Sequence, residues 1–363
     1  MISATPAKQQ QFPCTQCGAS MEFRPSLAAL VCPYCGHQEN PHAPATTPST
    51  TLHTTREHAA VQERDYQTFA VQNTQMAALS TTALEVQCSG CQANLTFDPP
   101  QTAGNCPFCG TSIVAEPQAA HPLVMPEYVL PFRIGKRDCH ASIQTWLASR
   151  WFAPNALKAL AQPEQLQGVY LPFWTYDAQT ESRYTGDRGD YYYETKTRTV
   201  TNSAGEQVTE NYEERQTRWR DASGRVSRFF DDLLVPGVGD AIAPKSLQEL
   251  EPWPLEHLVP YQASYLAGFK VQRYEVDLKQ GFAIAQDLMK PQIRQDVESD
   301  IGGDEQRVDS IDTAYSQRTF KHILLPVWIS AYCYQNKQYQ VVVNAQTGEV
   351  LGDRPTANSK SPW

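Results

Sequence analysis

The chain has 363 residues, 26 prolines and a formal net charge of −9. Its length allows about two or three domains, and its acidic balance gives no general attraction to nucleic acid phosphates or anionic membranes. The first residues, MISATPAKQQQ, lack the apolar core of a secretory signal. No run approaches the ~18 apolar residues that a membrane span needs. We therefore expect a cytoplasmic protein without a transmembrane segment.

The first predicted element, residues 10–40, is a zinc ribbon. It contains two C-x-x-C pairs, formed by Cys14, Cys17, Cys32 and Cys35. A glycine follows each pair, where a tight turn favours a positive φ angle. Tetrahedral zinc takes four ligands, with sulfur at about 2.3 Å, and a hairpin that joins the two pairs supplies them. Because all four ligands are thiolates, no coordination position is left open, and we expect a structural ion.

Residues 41–84 are predicted to form a linker. Its first half is rich in Pro and Thr, which is typical of flexible segments, and residues 57–78 permit a short helix. Four histidines lie near the first ribbon: His37, His42, His53 and His58. We do not expect them to bind the ion, because four thiolates already complete the site.

Residues 85–116 repeat the ribbon pattern. The cysteines are Cys88, Cys91, Cys106 and Cys109, and the shared pattern is C-x-x-C-x-A-x-x-x-F-x-P-x6-C-P-[YF]-C-G. Units this small bury too little apolar surface to fold alone, so bound metal must supply their stability. The repeat predicts two structural Zn²⁺ ions. Four thiolates also suit iron, whereas paired C-x-x-C sets disfavour a thioredoxin-like redox site.

The remaining chain, residues 126–357, is predicted to be a β-rich body with a few helices. Three apolar segments, VLPFRI, VYLPFWTYDA and ILLPVWISAYCY, indicate strands with a proline at an edge or entry position. A helix is expected between the first two, ending before Pro154. Five of its residues recur at helical spacing: Ile143, Trp146, Leu147, Arg150 and Trp151.

Residues 184–230 predict a long β-hairpin around NSAGEQ, with a further turn at DASG. Basic and acidic residues alternate on it: Lys196, Arg198, Arg215, Arg218, Arg220 and Arg225 with Glu194, Glu206, Glu210, Glu213 and Glu214. Together with Tyr191, Tyr192, Tyr193 and Trp219, the cations offer a stacking surface for single-stranded nucleic acid. The mixed signs favour the alternative, a solvated sheet face that discourages edge pairing.

The C-terminal part is predicted to contain a helix over residues 274–301 that is interrupted at Pro291. A solvated acidic loop, ESDIGGDEQRVDSID, is expected next, and it lacks the residue order of a calcium-binding loop. The end, KQYQVVVNAQTGEVLGDRP, indicates strand, turn and strand. The fold class is therefore α+β, with two small zinc ribbons followed by a β-rich mixed body.

Motifs for catalysis are missing from the sequence. It contains no P-loop, no H-E-x-x-H and no G-x-S-x-G. Cys139 and His140 are adjacent and so point in different directions. We interpret Cys139 and Cys333 as small buried apolar residues. An enzyme is not expected, although a hydrolase or transferase site in the body stays as a hypothesis.

The CPYCG and CPFCG turns, VYLPFWTYDAQTESRYTG and VVVNAQTGEVLGDRP resemble a family of bacterial zinc-ribbon proteins of poorly defined function. The resemblance covers nearly the whole chain from the second ribbon onward. Members are labelled TFIIB-type zinc-ribbon proteins, or primosomal protein N-prime (replication factor Y, superfamily II helicase)-like. Helicase activity is not expected, because the nucleotide-binding loop is missing.

The charge of the ribbons predicts the kind of partner. The second ribbon has no Lys or Arg between Val86 and Glu116, and Arg24 is the only one between Phe12 and His37. Nucleic acid binding needs several cations for phosphate contact. We therefore predict a non-catalytic protein whose ribbons and body mediate protein interaction or assembly, with an unknown protein partner and no small-molecule substrate. The alternative is a nucleic-acid-associated accessory factor that binds through the hairpin.

Overall fold

The computed structural model describes most of the chain from Phe12 to Gly352. The described residues are 12–41, 62–72, 76–77, 84–90, 93–97, 103–108, 111–114, 123–148, 166–201, 203, 205–239, 247, 249–334 and 337–352. The predicted linker of residues 42–55 lies outside them, and so do Arg150, Trp151 and Pro154.

The protein is mostly β-sheet with few helices. The strands before the body are β1 Glu22–Arg24, β2 Ala29–Val31, β3 Gln38–Glu39, β4 Arg64–Asp65, β5 Met76–Ala77, β6 Leu84–Gln87, β7 Asn94–Phe97, β8 Ala103–Asn105, β9 Ser112–Val114 and β10 Leu123–Val124. Those of the body are β11 Tyr128–Val129, β12 Gln167–Thr201, β13 Gln207–Pro236, β14 Val259–Pro260, β15 Lys270–Val271, β16 Glu305–Tyr334, β17 Lys337–Asn344 and β18 Val350–Gly352. The helices are α1 Tyr66–Gln72, α2 Lys136–Ala148 and α3 Leu278–Ile301.

The main sheet has nine strands, and its central order is β13-β12-β16-β11-β14. β16 pairs in parallel with β11 and antiparallel with β17, while β15 adds to β12 in parallel. The chain divides into two compact units. Unit 1 comprises residues 1–175, 234–281 and 320–363, and unit 2 comprises residues 176–233 and 282–319.

The sheet of unit 1 is buried on both faces. Val169, Leu171 and Phe173 of β12 belong to one apolar cluster, which we call face A, together with Ile323, Leu325, Val327 and Ile329 of β16. Tyr170 of β12 belongs to a second cluster, face B, together with Leu324 and Trp328 of β16. Successive side chains of a strand point to opposite faces. Burial on both faces therefore explains why these segments are continuously apolar in sequence.

Two prolines lie inside the strands of unit 1, so the prediction of edge or entry positions was wrong for them. Pro172 lies within β12 and Pro326 within β16. A proline lacks only the backbone donor, and its carbonyl still accepts a hydrogen bond. The Pro172 carbonyl accepts from Gly237 N at 2.9 Å, and the Pro326 carbonyl accepts from Ala345 N at 3.1 Å.

The helix predicted after the first apolar segment is present as α2. Ile143 is buried and Trp146 packs against face B, as the periodicity indicates. Cys139 is fully buried, and burial raises the pKa of its thiol to about 12. The interpretation of Cys139 as a small apolar residue is therefore confirmed, whereas the side chain of Cys333 lies outside what the structure describes.

Unit 2 consists of the long hairpin of β12 and β13, the first part of β16, and α3. The hairpin predicted around NSAGEQ is present, but the turn predicted at DASG is wrong, because Gly224 lies within β13. A Cβ atom at Gly224 would lie 2.5 Å from the Tyr184 hydroxyl oxygen. The glycine is thus needed for the close packing of the Tyr184 ring across the strands rather than for chain reversal.

Helix α3 runs without interruption through Pro291, contrary to the prediction. Pro291 is exposed, so the carbonyl that loses its helical hydrogen bond faces the solvent side. The opposite side buries an apolar stripe at helical spacing that holds the helix against the sheet: Phe282, Ala285, Met289, Ile293, Val297 and Ile301.

The acidic segment after α3 is a strand instead of the predicted loop. Gly302 and Gly303 both have positive φ angles and reverse the chain, and β16 begins at Glu305. Val308 and Ile311 pack against the core of unit 2, while Asp309 and Asp312 are exposed. Half-buried and exposed side chains alternate from Ile311 to Tyr315. The prediction gave more weight to the charges than to this two-residue alternation, which is the stronger indication of a strand.

A buried histidine makes the stability of unit 1 depend on pH. His322 stacks on Trp174 with ring centroids 4.6 Å apart, and its Nδ1 donates to the Val124 carbonyl at 2.9 Å. Burial lowers the pKa of His322 from 6.5 to about 4. Between these values the unfolded chain binds a proton that the folded chain excludes, so stability falls as the pH falls through this window.

The unchanged protein should lose unfolding free energy on the order of 3 kcal/mol between pH 6.5 and pH 4. We predict that the His322→Gln variant does not show this loss. Chemical denaturation at a series of pH values measures this slope. His257 is exposed, so His257→Gln serves as the matched control and should keep the slope of the unchanged protein. Equal slopes for the His322 variant and the unchanged protein would contradict the prediction.

Candidate metal centre

The structure brings the four cysteines of the first ribbon together. The Sγ atoms of Cys14, Cys17, Cys32 and Cys35 all lie within 4.8 Å of one another, and two of the distances between them, Cys14–Cys35 and Cys17–Cys32, are 3.5 Å. A tetrahedron with sulfur at about 2.3 Å from its centre has edges of about 3.8 Å. The cluster can therefore hold a metal ion.

Short antiparallel strands carry the two knuckles of this cluster. β1 pairs with β2 in antiparallel register, from Glu22 opposite Val31 to Arg24 opposite Ala29, and β2 pairs with β3. Gly18 and Gly36 adopt φ angles of +75° and +74°, as expected for the turn that follows each C-x-x-C pair. Because only glycine adopts this conformation without strain, these two positions fix the return of the chain after each pair.

All four knuckles close with the same backbone hydrogen bond. The amide of each leading cysteine donates to the carbonyl five residues later. The bonds are Cys14 to Ala19 at 2.7 Å, Cys32 to His37 at 2.8 Å, Cys88 to Ala93 at 2.9 Å and Cys106 to Thr111 at 2.8 Å. The similarity between the two repeats thus extends to backbone geometry. Cys91 and Cys109 lie outside the described residues, so the second ligand set is seen only at Cys88 and Cys106.

The backbone around Cys32 favours a thiolate. The amides of Cys35 and Tyr34 donate to its sulfur and lower the pKa of the Cys32 thiol to about 6. The amide of His37 also lowers the Cys35 pKa, but partial desolvation of the sulfur and hydrogen bonds with the neighbouring thiols raise that pKa to about 12. Four thiols this close do not all ionise unless a cation compensates their charge. This electrostatic cost is what a bound metal ion removes.

His37 lies beside the cluster but is not part of it. Its Nε2 lies 3.1 Å from Thr15 Oγ1 and 3.4 Å from Glu39 Oε1, and the Thr15 hydroxyl donates to the same Glu39 oxygen at 2.8 Å. This surface network ties the first knuckle to β3. The other histidines of the linker, His42, His53 and His58, lie outside the described residues.

The first ribbon is packed into face B of the unit 1 sheet. Cys14, Met21, Phe23, Leu30 and Cys32 are buried there with Tyr170, Leu324 and Trp328. The Phe23 ring meets Tyr265 edge-on at 5.2 Å, and the Phe23 amide donates to the Ala267 carbonyl at 3.0 Å. The first cysteine of each pair faces the sheet, whereas Cys17 and Cys35 are exposed.

The second ribbon is packed into face A of the same sheet. Cys88, Ala93, Cys106 and Phe108 are buried there with Val169, Leu171 and Ile323. Gln340 of β17 also donates through Nε2 to the Phe108 carbonyl at 2.9 Å. The two repeats therefore cover opposite faces of one sheet, an arrangement that nothing in the cysteine spacing indicated.

The equivalent aromatic residues of the two repeats have different environments. Tyr34, in the CPYCG turn, is 83% exposed, whereas Phe108, in the CPFCG turn, is 2% exposed. The tyrosine hydroxyl suits contact with water, and the phenylalanine ring suits the apolar sheet. The single Tyr/Phe difference in an otherwise shared turn thus corresponds to a difference in burial.

Five cations of the unit 2 hairpin contact carboxylates or rings of the hairpin itself. Arg215 lies over the Tyr191 ring at 4.2 Å and Arg218 lies over the Tyr192 ring at 4.8 Å. Arg198 donates to Glu210 at 2.9 Å, and ion pairs also join Lys196 to Glu214 and Arg220 to Asp190. Aromatic faces and cations that contact each other are less available for bases and phosphates.

The fold and site together define a mostly β protein that carries a tetrathiol cluster. Over 257 residues, or 69% of each chain, it is 25% identical to the uncharacterized protein YdjG of Bacillus subtilis (strain 168). No protein-family model and no solved structure matches the chain. Among the described residues, no helix has both the length and the apolar character needed to cross a membrane.

Proposed function

We propose that this chain is a non-catalytic zinc-binding protein whose two structural ribbons hold a β-rich body together and contribute to protein interaction or assembly. The observation that carries the proposal is the position of the first cluster. Cys14 and Cys32 are buried in the sheet, while the adjacent Tyr34 projects into solvent. Such a ribbon acts on the fold through its buried cysteines and offers a rigid aromatic contact at its outer turn.

The donor set supports zinc and a structural role. Four thiolates satisfy a tetrahedral ion completely, whereas a catalytic zinc ion keeps one position for water or substrate. The second ion is proposed for Cys88, Cys91, Cys106 and Cys109, on the strength of the shared motif and of the hydrogen bonds shared by Cys88 and Cys106. The resemblance to bacterial TFIIB-type or primosomal N-prime-like zinc-ribbon proteins, which covers nearly the whole chain from the second ribbon onward, is part of this proposal. We also propose a cytoplasmic location.

A protein partner is favoured over nucleic acid because of where charge and apolar surface lie. The first ribbon exposes Tyr34 and Leu27, and aromatic residues are enriched where proteins contact each other. The rival surface is the hairpin, where Tyr193 is 64% exposed. Five cations of this hairpin already contact carboxylates and rings, which reduces what they offer to phosphates.

Metal analysis tests the first half of the proposal. We expect two zinc ions per purified chain, one fewer in Cys14→Ser and one fewer in Cys88→Ser, because each change removes one thiolate from a four-thiolate set. Cys139→Ser is the matched control, since Cys139 is a buried cysteine that belongs to neither C-x-x-C set, and it should keep two ions. Iron in place of zinc, or one ion in the unchanged protein, would contradict the proposal.

Site-specific photocrosslinking tests the second half. A photoreactive phenylalanine analogue replaces Tyr34 in one variant and Tyr193 in the other, which compares two exposed tyrosines of the ribbon and the hairpin. We expect a discrete protease-sensitive adduct in intact cells from position 34 and none from position 193. A nuclease-sensitive adduct from position 193, with none from position 34, would instead support the nucleic-acid-associated alternative.

A further inference from the structure

A cavity in unit 1 combines positive charge with an aromatic wall. Its volume is about 700 Å³, within the range typical of small-molecule sites. Four segments surround it: the turn after β1 of the first ribbon, the start of α2, the start of β12 and the start of β15. Trp328 of β16 contributes to its lining. All of these residues belong to unit 1.

Four cations line this cavity, although the whole chain is acidic. They are Arg24 from the ribbon, Lys136 and Arg137 from the first turn of α2, and Lys270 from β15. Two carboxylates, Glu22 and Asp138, also line it, so the lining keeps a positive balance while the chain carries −9. Burial lowers the pKa of Lys270, and a bound anion would offset that cost of desolvation.

The aromatic wall is held in place before any ligand arrives. The Phe269 ring stacks on Phe132 with centroids 3.9 Å apart and planes 4° from parallel, and it meets Trp328 edge-on at 6.0 Å. Gly168 allows this position, because a Cβ atom there would lie 2.4 Å from the Phe269 ring. A fixed ring loses little conformational entropy when a flat ligand packs beside it.

We propose that this cavity binds a small organic phosphate that carries a planar ring, of which a mononucleotide is the simplest representative. Arginine pairs with phosphate through two parallel N–H···O bonds, and lysine adds a compact positive charge. An inorganic anion would fill only a small part of the cavity and leave the aromatic wall without a contact. A neutral ring compound would leave the cations uncompensated.

Titration calorimetry of the full chain tests this assignment with three probes. ADP carries both features, pyrophosphate carries only the charge, and adenosine carries only the ring. We expect saturable binding of ADP, with a dissociation constant at least about tenfold lower than that of pyrophosphate or adenosine. Binding of ADP should weaken as the salt concentration rises. Absence of saturable ADP binding at about 1 mM, or pyrophosphate binding as tight as ADP, would overturn the proposal.

Matched arginine variants locate the binding. The double variant Arg24→Gln/Arg137→Gln should weaken ADP binding by about tenfold or more, because two of the four cations are lost. Arg133→Gln is the control, since Arg133 is exposed in the same unit and does not line the cavity. If the double variant unfolds, Lys136→Gln repeats the test, because Lys136 also lines the cavity and is exposed on α2. Equal loss in the control and the cavity variants would place the site elsewhere.

Discussion

The constraint on which the structure of unit 1 depends is a sheet with two apolar faces. Val169 and Leu171 of β12 point to one face and Tyr170 points to the other, so either face left uncovered would expose core residues to water. Small ribbons do not have enough apolar area to fold alone. In this protein the ribbons need not fold alone, because the sheet supplies the apolar surface on which they pack. The ribbons in turn cover the two apolar faces of the sheet.

This mutual dependence explains both the duplication and the Tyr/Phe difference between the two C-P-x-C-G turns. The two repeats share the backbone hydrogen bond of their leading cysteines, and each buries those cysteines against one apolar face of the sheet. They differ at Tyr34 and Phe108, because the first turn faces solvent and the second faces the sheet. The outer side of the first ribbon is therefore available for a partner, while its β1 side forms part of the cationic cavity.

The sequence was most informative where a residue type has one dominant physical role. Cysteine spacing predicted the first thiol cluster, and helical and two-residue periodicity predicted α2 and the long hairpin. Predictions were wrong where tertiary packing or exposure decided the local conformation. Gly224 suggested a turn but makes room for Tyr184 within a strand, and Pro291 suggested a break in α3 but lies on its solvent side. The packing of the ribbons onto opposite faces and the meeting of Arg24 with Lys270 join residues far apart in sequence, for which no periodicity exists.

Amide hydrogen exchange before and after removal of the proposed zinc with a chelator tests most directly whether the ribbons stabilise the sheet of unit 1. Peptides covering Val169–Trp174 and Ile323–Ile329 report on the sheet, and peptides within residues 12–41 report on the first ribbon. We predict that exchange accelerates in the sheet peptides together with the ribbon peptides, because the sheet loses the side chains that cover it. Faster exchange confined to the ribbons would show that the sheet is stable without them and would contradict this mutual dependence.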